Sequence, residues 1–407
     1  MQDVILITVS GEDKPGLSTS LLGILAQYEA KILDIGQAVI HSTLSLGILT
    51  QVPEGVPWGN VARELLFRAY ELDLKIKFRP ITIEEYNEWT SAQGKDRHII
   101  TLLGAVLNAD HMARLTRIIR DHGLNIDVIT RLSGRIPLET DVRPTMACVE
   151  FSVRGTPTDT TAMRGEFLAL THEMGVDIAF QVDNIYRRNR RLVVFDMDST
   201  LVQTEAIDEM AAAAGVSEDV ASITAAAMAG EIDFEESLVQ RLGALKGLDE
   251  SVLAEVAERI PLTDGAERLI DILKHLGYKI ALISGGFTYF AKHLQQKLGI
   301  DYVYANELEI VDGKLTGKVV GDIIDAQRKA EIVREIAKKE DIRLAQVVAV
   351  GDGANDLPML AEAGLGIAFR AKPLVQETAR QALSTVGLDG ILYLIGVRDR
   401  ETLERLR

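Results

Sequence analysis

The chain has 407 residues, 47% of them hydrophobic and 26% charged, with a formal net charge of −16. That length exceeds one ordinary core and predicts two to four domains of roughly 100–200 residues each, while the composition excludes a fibrous or disordered chain. The acid excess argues against nucleic acid or an anionic membrane as partner, and the absence of an uncharged apolar run of roughly 18 residues or of a basic-then-apolar leader after Met1 predicts a cytoplasmic protein.

Residues 3–10 alternate as a strand, 17–28 carry helical spacing, and 32–41 and 44–52 read as strands joined tightly at His41-Ser42-Thr43. A helix near 58–72 and a strand near 74–81 complete a βαββαβ order. From 97 the order recurs as strand 98–106, helix 110–122, strands 126–133 and 146–153, helix 158–174 and strand 176–181. Tandem copies of one ferredoxin-like unit, over 1–83 and 97–182, account for both. Cys148, the single cysteine, sits in the apolar run Met146-Ala147-Cys148-Val149 and reads as a small core residue rather than a nucleophile. The polar stretches 84–96 and 183–190 read as linkers, and the basic run Arg187, Arg188, Arg190, Arg191 as their solvated end.

After 191 the pattern changes. Short apolar runs at 192–197, 279–283, 301–304, 346–350 and 365–369 alternate with helices, predicting over 191–407 an α/β domain whose parallel sheet is covered on both faces. Ligands of such sheets bind beyond the carboxyl ends of the strands. Leu192-Val193-Val194-Phe195 delivers Asp196-Met197-Asp198-Ser199-Thr200 to that edge, where burying two acids costs several kcal/mol unless a cation or donors compensate. Lys279 to Ile283 delivers Ser284-Gly285-Gly286-Phe287, whose glycines let the backbone approach a phosphate. Gln346 to Val350 delivers Gly351-Asp352-Gly353-Ala354-Asn355-Asp356, and Lys329 opens a helix over 326–338.

Singly these are a turn, a loop and a surface lysine; together at strand ends of one domain they are the parts of a phosphoryl-transfer site. A phosphate monoester dianion repels an anionic nucleophile until its charge is neutralised. Mg²⁺, with its near-octahedral oxygen ligation, fits Asp196, the main-chain carbonyl of Asp198, and Asp352. Asp196 is then the nucleophile, forming an acyl phosphate. Asp198 is the general acid and base, and Ser284 and Lys329 hold the transferring group, with Gly285 and Asn355 of the same motifs beside the substrate.

These four motifs resemble those of the haloacid dehalogenase superfamily over about 191–396. Within it the chain is most similar to the phosphoserine phosphatases, whose helical cap follows the first motif, here about 203–260. The resemblance implies hydrolysis of O-phospho-L-serine to L-serine and phosphate, the last step of serine biosynthesis. It also implies that Glu205 and Arg241, in the cap, bind the ammonium and carboxylate of the substrate, as their charges suit. Phe234 and Met228 are candidates for the cap's apolar lining.

The paired βαββαβ units resemble ACT domains, amino-acid-sensing modules. That likeness implies an effector site at Asp13, Pro15 and Gly16 between the first strand and helix, where Pro presets a helical turn and Gly allows close approach. Asn108-Ala109-Asp110-His111 at the corresponding turn of the second unit lacks Pro-Gly. L-serine is the expected effector and feedback inhibitor, and a homodimer through the ACT-like units is expected because their edge strands invite pairing. The competing readings are a phosphatase for another phospho-metabolite or for phosphoprotein side chains, and an amino-acid sensor with an inert catalytic domain. The intact acids and Lys329 speak against the last, and the lack of membrane spans excludes a transport ATPase.

Overall fold

The computed structural model describes residues 4–402 apart from 92–93, 95, 136–145 and 229–230. It divides into two compact units, Met1–Lys95 and Asp96–Arg407. In the first, strands Val4–Glu12, Lys31–Ile40, Thr43–Gln51 and Lys75–Ile81 form an antiparallel sheet in the spatial order second, third, first, fourth. Alternate residues Ile5, Ile7 and Val9, with Leu44, Leu46 and Ile48, turn to one core. There they meet Leu21 and Leu25 of helix Leu17–Gln27 and Val61 and Leu65 of helix Trp58–Glu71. The stretch expected as a linker after 83 carries a helix instead, Ile83–Ser91. Its start is a reciprocal cap: Glu85 N–H donates to Thr82 Oγ1 at 3.1 Å and Thr82 N–H donates to the Glu85 carboxylate at 2.9 Å. The Thr-x-x-Glu spacing was the overlooked signal.

The second unit opens with the same sheet order, from strands Arg97–Gly104, Asn125–Arg131, Ala147–Arg154 and Asp177–Val182. Both copies shift register at the same place in the edge strand, between Ile32 and Asp34 and between Ile126 and Val128. One face of this sheet packs under helices Ala109–Asp121 and Thr160–Met174. Leu103, Cys148 and Ala179 belong instead to a core shared with the chain's final helices, including Ile391, Leu392 and Leu394. Cys148 is fully buried there, and burial pushes its thiol well up, as befits a packing residue.

Polar contacts pin this junction. Asp177 accepts from the N–H groups of Ser384 and Thr385 (2.7 and 2.9 Å) and from the Thr385 hydroxyl (2.7 Å). The Gln381 side chain bonds both backbone groups of Phe180. The basic run is not the solvated segment expected. Arg187 is fully buried on Glu150, and Arg190 is buried on the carbonyls of Ala345 and Gly364, leaving Arg188 and Arg191 exposed. Charges taken out of water need such partners, and no periodicity announces them.

The third sheet has seven strands. Leu192–Phe195 is central, with Lys279–Phe287, Tyr302–Val311 and Lys314–Val320 outward on one side and Val347–Gly351, Leu365–Phe369 and Gln381–Leu383 on the other. All pair in parallel except Lys314–Val320. Val193 and Phe195 face one core, while Leu192 and Val194 face another under helix Ala326–Lys339; hence the uninterrupted apolar run. The expected short strand 301–304 proves to be the start of a long hairpin, whose partner strand is closed by Asp312-Gly313, both with positive φ (51° and 72°). Four helices, Ala206–Ala214, Ser217–Met228, Phe234–Ala244 and Ser251–Arg259, form an insert after the first motif. Two chain crossings tether it, Gln203 N–H to Pro261 O and Thr263 N–H to Leu201 O, each 3.0 Å. Among the described residues no helix is long and apolar enough to cross a membrane.

Candidate active site

The three strands that follow the central one in sequence lie outward on one side of it and the next three on the other, so the order of the sheet reverses there and the carboxyl ends diverge to leave a crevice. Three motifs meet at that point. Asp196 follows Phe195 directly, its N–H held by Val350 O at 2.9 Å. A tight turn over Met197–Leu201 then carries the chain away, with Ser199 in the left-handed region at φ 57°, an uncommon backbone for a non-glycine residue.

Beside it, Gly286 N–H donates to Ser284 Oγ at 2.8 Å, and Ser284 Oγ stands 3.5 Å from Asp198 Oδ2. A Cβ on Gly286 would meet the Asp198 carboxylate and lie 3.0 Å from Ser284 Oγ, and one on Gly285 would lie 2.8 Å from Phe234 of the cap. The glycines thus give the loop its close approach to both. Buried Asn306 clamps the loop from behind, donating to Gly285 O and accepting from Ile324 N–H, both at 2.8 Å.

Lys329 is fully buried, with Nζ 2.5 Å from Asp196 Oδ1 and 2.7 Å from Asp356 Oδ1. Burial alone would lower its ammonium, but the charges of Asp196 and Asp356 outweigh that and hold it above its ordinary value. Burial raises the Asp196 carboxyl well above the ordinary range; the Lys329 charge opposes this, and the charges of Asp356 and Asp198 add to it. Burial likewise pushes Asp198 up to about 7, against the hydrogen bond it accepts from Ala206 N–H at 2.8 Å. Asp352, which accepts from Thr200 Oγ1 at 3.0 Å, is pushed up to about 6 by burial and then by the Asp356 charge.

Ligand atoms of Asp196, Asp352 and Asp356 lie within 4.8 Å of one another. Three carboxylates against one ammonium leave an excess of negative charge that a hard, oxygen-preferring cation would neutralise, so the donor set fits a metal ion. Asp356 was not among the ligands expected. The Asp198 side chain lies outside this cluster, turned to Ala206 N–H and Ser284, which leaves its main-chain carbonyl as the atom expected to serve.

Above these groups is a cavity of about 520 Å³, lined by Asp196, Asp198, Ser284, Gly285, Asp352 and Asn355 below and by Glu205, Phe234 and Arg241 of the insert. Arg241 is buried, with Nη1 3.5 Å from Glu205 Oε2 and Nε without a partner among the described residues. Burial raises the Glu205 carboxyl; the Asp208 charge adds to this and Arg241 opposes it. Lys329 does not line the cavity but lies beneath Asp196. The side chain of Met228 falls outside the described residues. In the first unit, Asp13, Pro15 and Gly16 form an exposed turn in which Gly16, at φ 91°, caps the first helix. The corresponding turn of the second unit is closed by Asn108 and His111, each bonding the other's N–H. Thr200, Asn306 and Asp356 are the residues missed. The first and last lay inside motifs already singled out, whereas Asn306 has no local signal.

The seven-stranded sheet, its insert and its strand-end acids define a haloacid-dehalogenase-like hydrolase, and residues 190–364 match that family. Residues 3–79 and 96–181 each match an ACT domain. A phosphoserine phosphatase of Streptomyces coelicolor is 42% identical, covering 98% of this chain and 93% of that one. A second, from Mycobacterium tuberculosis, is 39% identical over 97% of this chain and 93% of its own length. A solved structure of a probable phosphoserine phosphatase from Vibrio cholerae superposes with a TM-score of 0.58 at 35% identity, covering 76% of this chain and 88% of that one. The chain belongs to the phosphoserine phosphatase family, in its form with two N-terminal ACT domains.

Proposed function

We propose that this enzyme hydrolyses O-phospho-L-serine through a phosphoryl group carried transiently on Asp196. The observation that carries the reading is the convergence of Asp196, Ser284 and Asp352 under one cavity whose roof supplies an acid, Glu205, and a buried arginine, Arg241. Those two charges are opposite in sign to the ammonium and carboxylate of a serine ester, and each would exchange its long contact with the other, 3.5 Å, for a charge-assisted bond to substrate. Mg²⁺ held by Asp196, Asp352, Asp356 and the Asp198 carbonyl would neutralise the phosphate dianion.

The chain's own groups do the rest. Lys329 orients Asp196, and its charge opposes the rise that burial gives that carboxyl, so that a carboxylate oxygen forms a bond to phosphorus as the bond to the serine oxygen breaks. Ser284 Oγ and the Gly286 region cradle the phosphoryl oxygens. Asp198, protonated near neutrality, gives its proton to the departing serine oxygen. It then takes one from the water that cleaves the acyl phosphate and restores Asp196. The first unit's Asp13-Pro15-Gly16 turn is the proposed L-serine site for feedback, in a dimer paired through the ACT domains; inhibition by L-serine that is unchanged in Gly16→Val would contradict it.

Phosphate release from O-phospho-L-serine, O-phosphoethanolamine and phosphoglycolate tests the substrate. The first is expected to turn over with the highest kcat/KM, and Arg241→Gln is expected to erase its advantage over O-phosphoethanolamine, which lacks the carboxylate. Equal turnover of all three would overturn the roles of Glu205 and Arg241.

A further inference from the structure

A second cavity, of about 280 Å³, lies between the second ferredoxin-like sheet and the catalytic sheet, far along the chain from the Asp13–Gly16 turn. Helix Thr160–Met174 and strand Asp177–Val182 wall one side, and helix Pro373–Thr378 and strand Gln381–Leu383 the other. It is a fixed feature of the junction, because the two bonds between Gln381 and the Phe180 backbone and the three bonds to Asp177 hold its walls together.

Its charged lining residues are Arg164, Arg380 and Glu377. Neither arginine has an ion-pair or hydrogen-bond partner among the described residues. Both guanidinium groups are exposed at the opening of the cleft, so in a chain of net charge −16 two like charges face one cavity with neither bridged to a carboxylate among the described residues. Burial, and then the charge of Arg380, pull Arg164 below its ordinary value. The floor between them is apolar, from Phe167, Ile178 and Phe180.

We propose that this cleft binds a small organic monocarboxylate with an apolar body, and that occupancy is felt in the catalytic cavity through helix Pro373–Thr378. Two planar forks match a carboxylate, and with Glu377 present the cleft carries one net positive charge, which suits a monoanion over a dianion. The route is short: Leu374 and Val375 line the catalytic cavity, while Gln376, Glu377 and Thr378 of the same six-residue helix line this cleft. A ligand that shifts one face of so short a helix shifts the other.

The test uses the full chain, by thermal unfolding and by steady-state kinetics, titrated with 4-methylpentanoate and with 4-methylpentan-1-ol, which has the same body and no carboxylate. The expected result is a saturable rise of a few degrees in Tm with the carboxylate alone. Half-saturation should be at least about tenfold weaker in Arg164→Gln and in Arg380→Gln, and the KM for substrate should change on titration in the wild type and stay constant in both variants. Both positions are exposed and outside the catalytic machinery, so basal activity is expected to stand. No saturable shift, an equal shift with the alcohol, or a shift that survives both substitutions would overturn the proposal; the last would put the carboxylate in the catalytic cavity.

Discussion

At the scale of single residues, the decisive feature is that Asp196 and Asp198, two residues apart, meet different partners. Asp196 is held in contact with the Lys329 ammonium, whereas Asp198, two residues on and half-buried, accepts from one N–H with no cation in contact, and desolvation pushes it up to about 7. A general acid must carry its proton when the leaving group departs. For O-phospho-L-serine, kcat/KM is therefore predicted to fall as pH rises through about 7, because Asp198 is protonated below that value and ionised above it. An aryl phosphate, whose phenolate leaves unaided, is predicted to lose that limb in the same pH series. Asp198→Asn should lower kcat with phosphoserine by roughly 10²–10⁴-fold and with the aryl ester far less. Lys329→Met leaves Asp196 and Asp356 facing each other without a cation, so unfolding in denaturant should show a loss of about 3–5 kcal/mol along with the loss of activity.

At the scale of elements, the site depends on loops clamped by distant side chains. Asn306→Ala removes both bonds that fix Gly285 O and Ile324 N–H; a stability loss of roughly 1–3 kcal/mol is predicted, with a rise in KM because the phosphate loop loses its anchor. The strand-end motifs were legible in the sequence because a buried apolar run that ends in acids or glycines has few packing explanations. Helix Ile83–Ser91 and strand Lys314–Val320 were legible in principle, through Thr82-x-x-Glu85 and the Asp312-Gly313 turn within an alternating stretch, but polar composition masked them. The burial of Arg187 and Arg190 and the role of Asn306 were not legible, since their partners lie far off in sequence, as with Glu150 or Ala345, or are backbone atoms that carry no residue signature.

At the scale of the whole molecule, the second ACT domain is built into the catalytic unit through Asp177, Gln381 and a shared apolar core. Burial raises the Asp177 carboxyl above its ordinary value, with the Thr385 and Ser384 donors opposing. Because the folded value exceeds the unfolded one, its contribution to stability is fully present below the ordinary Asp range and is lost as pH rises through the folded value. Asp177→Ala, which strands two N–H groups and a hydroxyl, is predicted to lower stability by roughly 1–3 kcal/mol, read in denaturant titrations at neutral pH. The claim on which everything else rests is that Asp196 carries the phosphoryl group of phosphoserine. Acid quenching of the enzyme during turnover of ³²P-labelled O-phospho-L-serine tests it most directly. Label on the protein that hydroxylamine removes, that maps to Asp196 and that is absent from Asp196→Asn is the predicted result; phosphate release with no labelled protein, or label on another residue, would contradict the account.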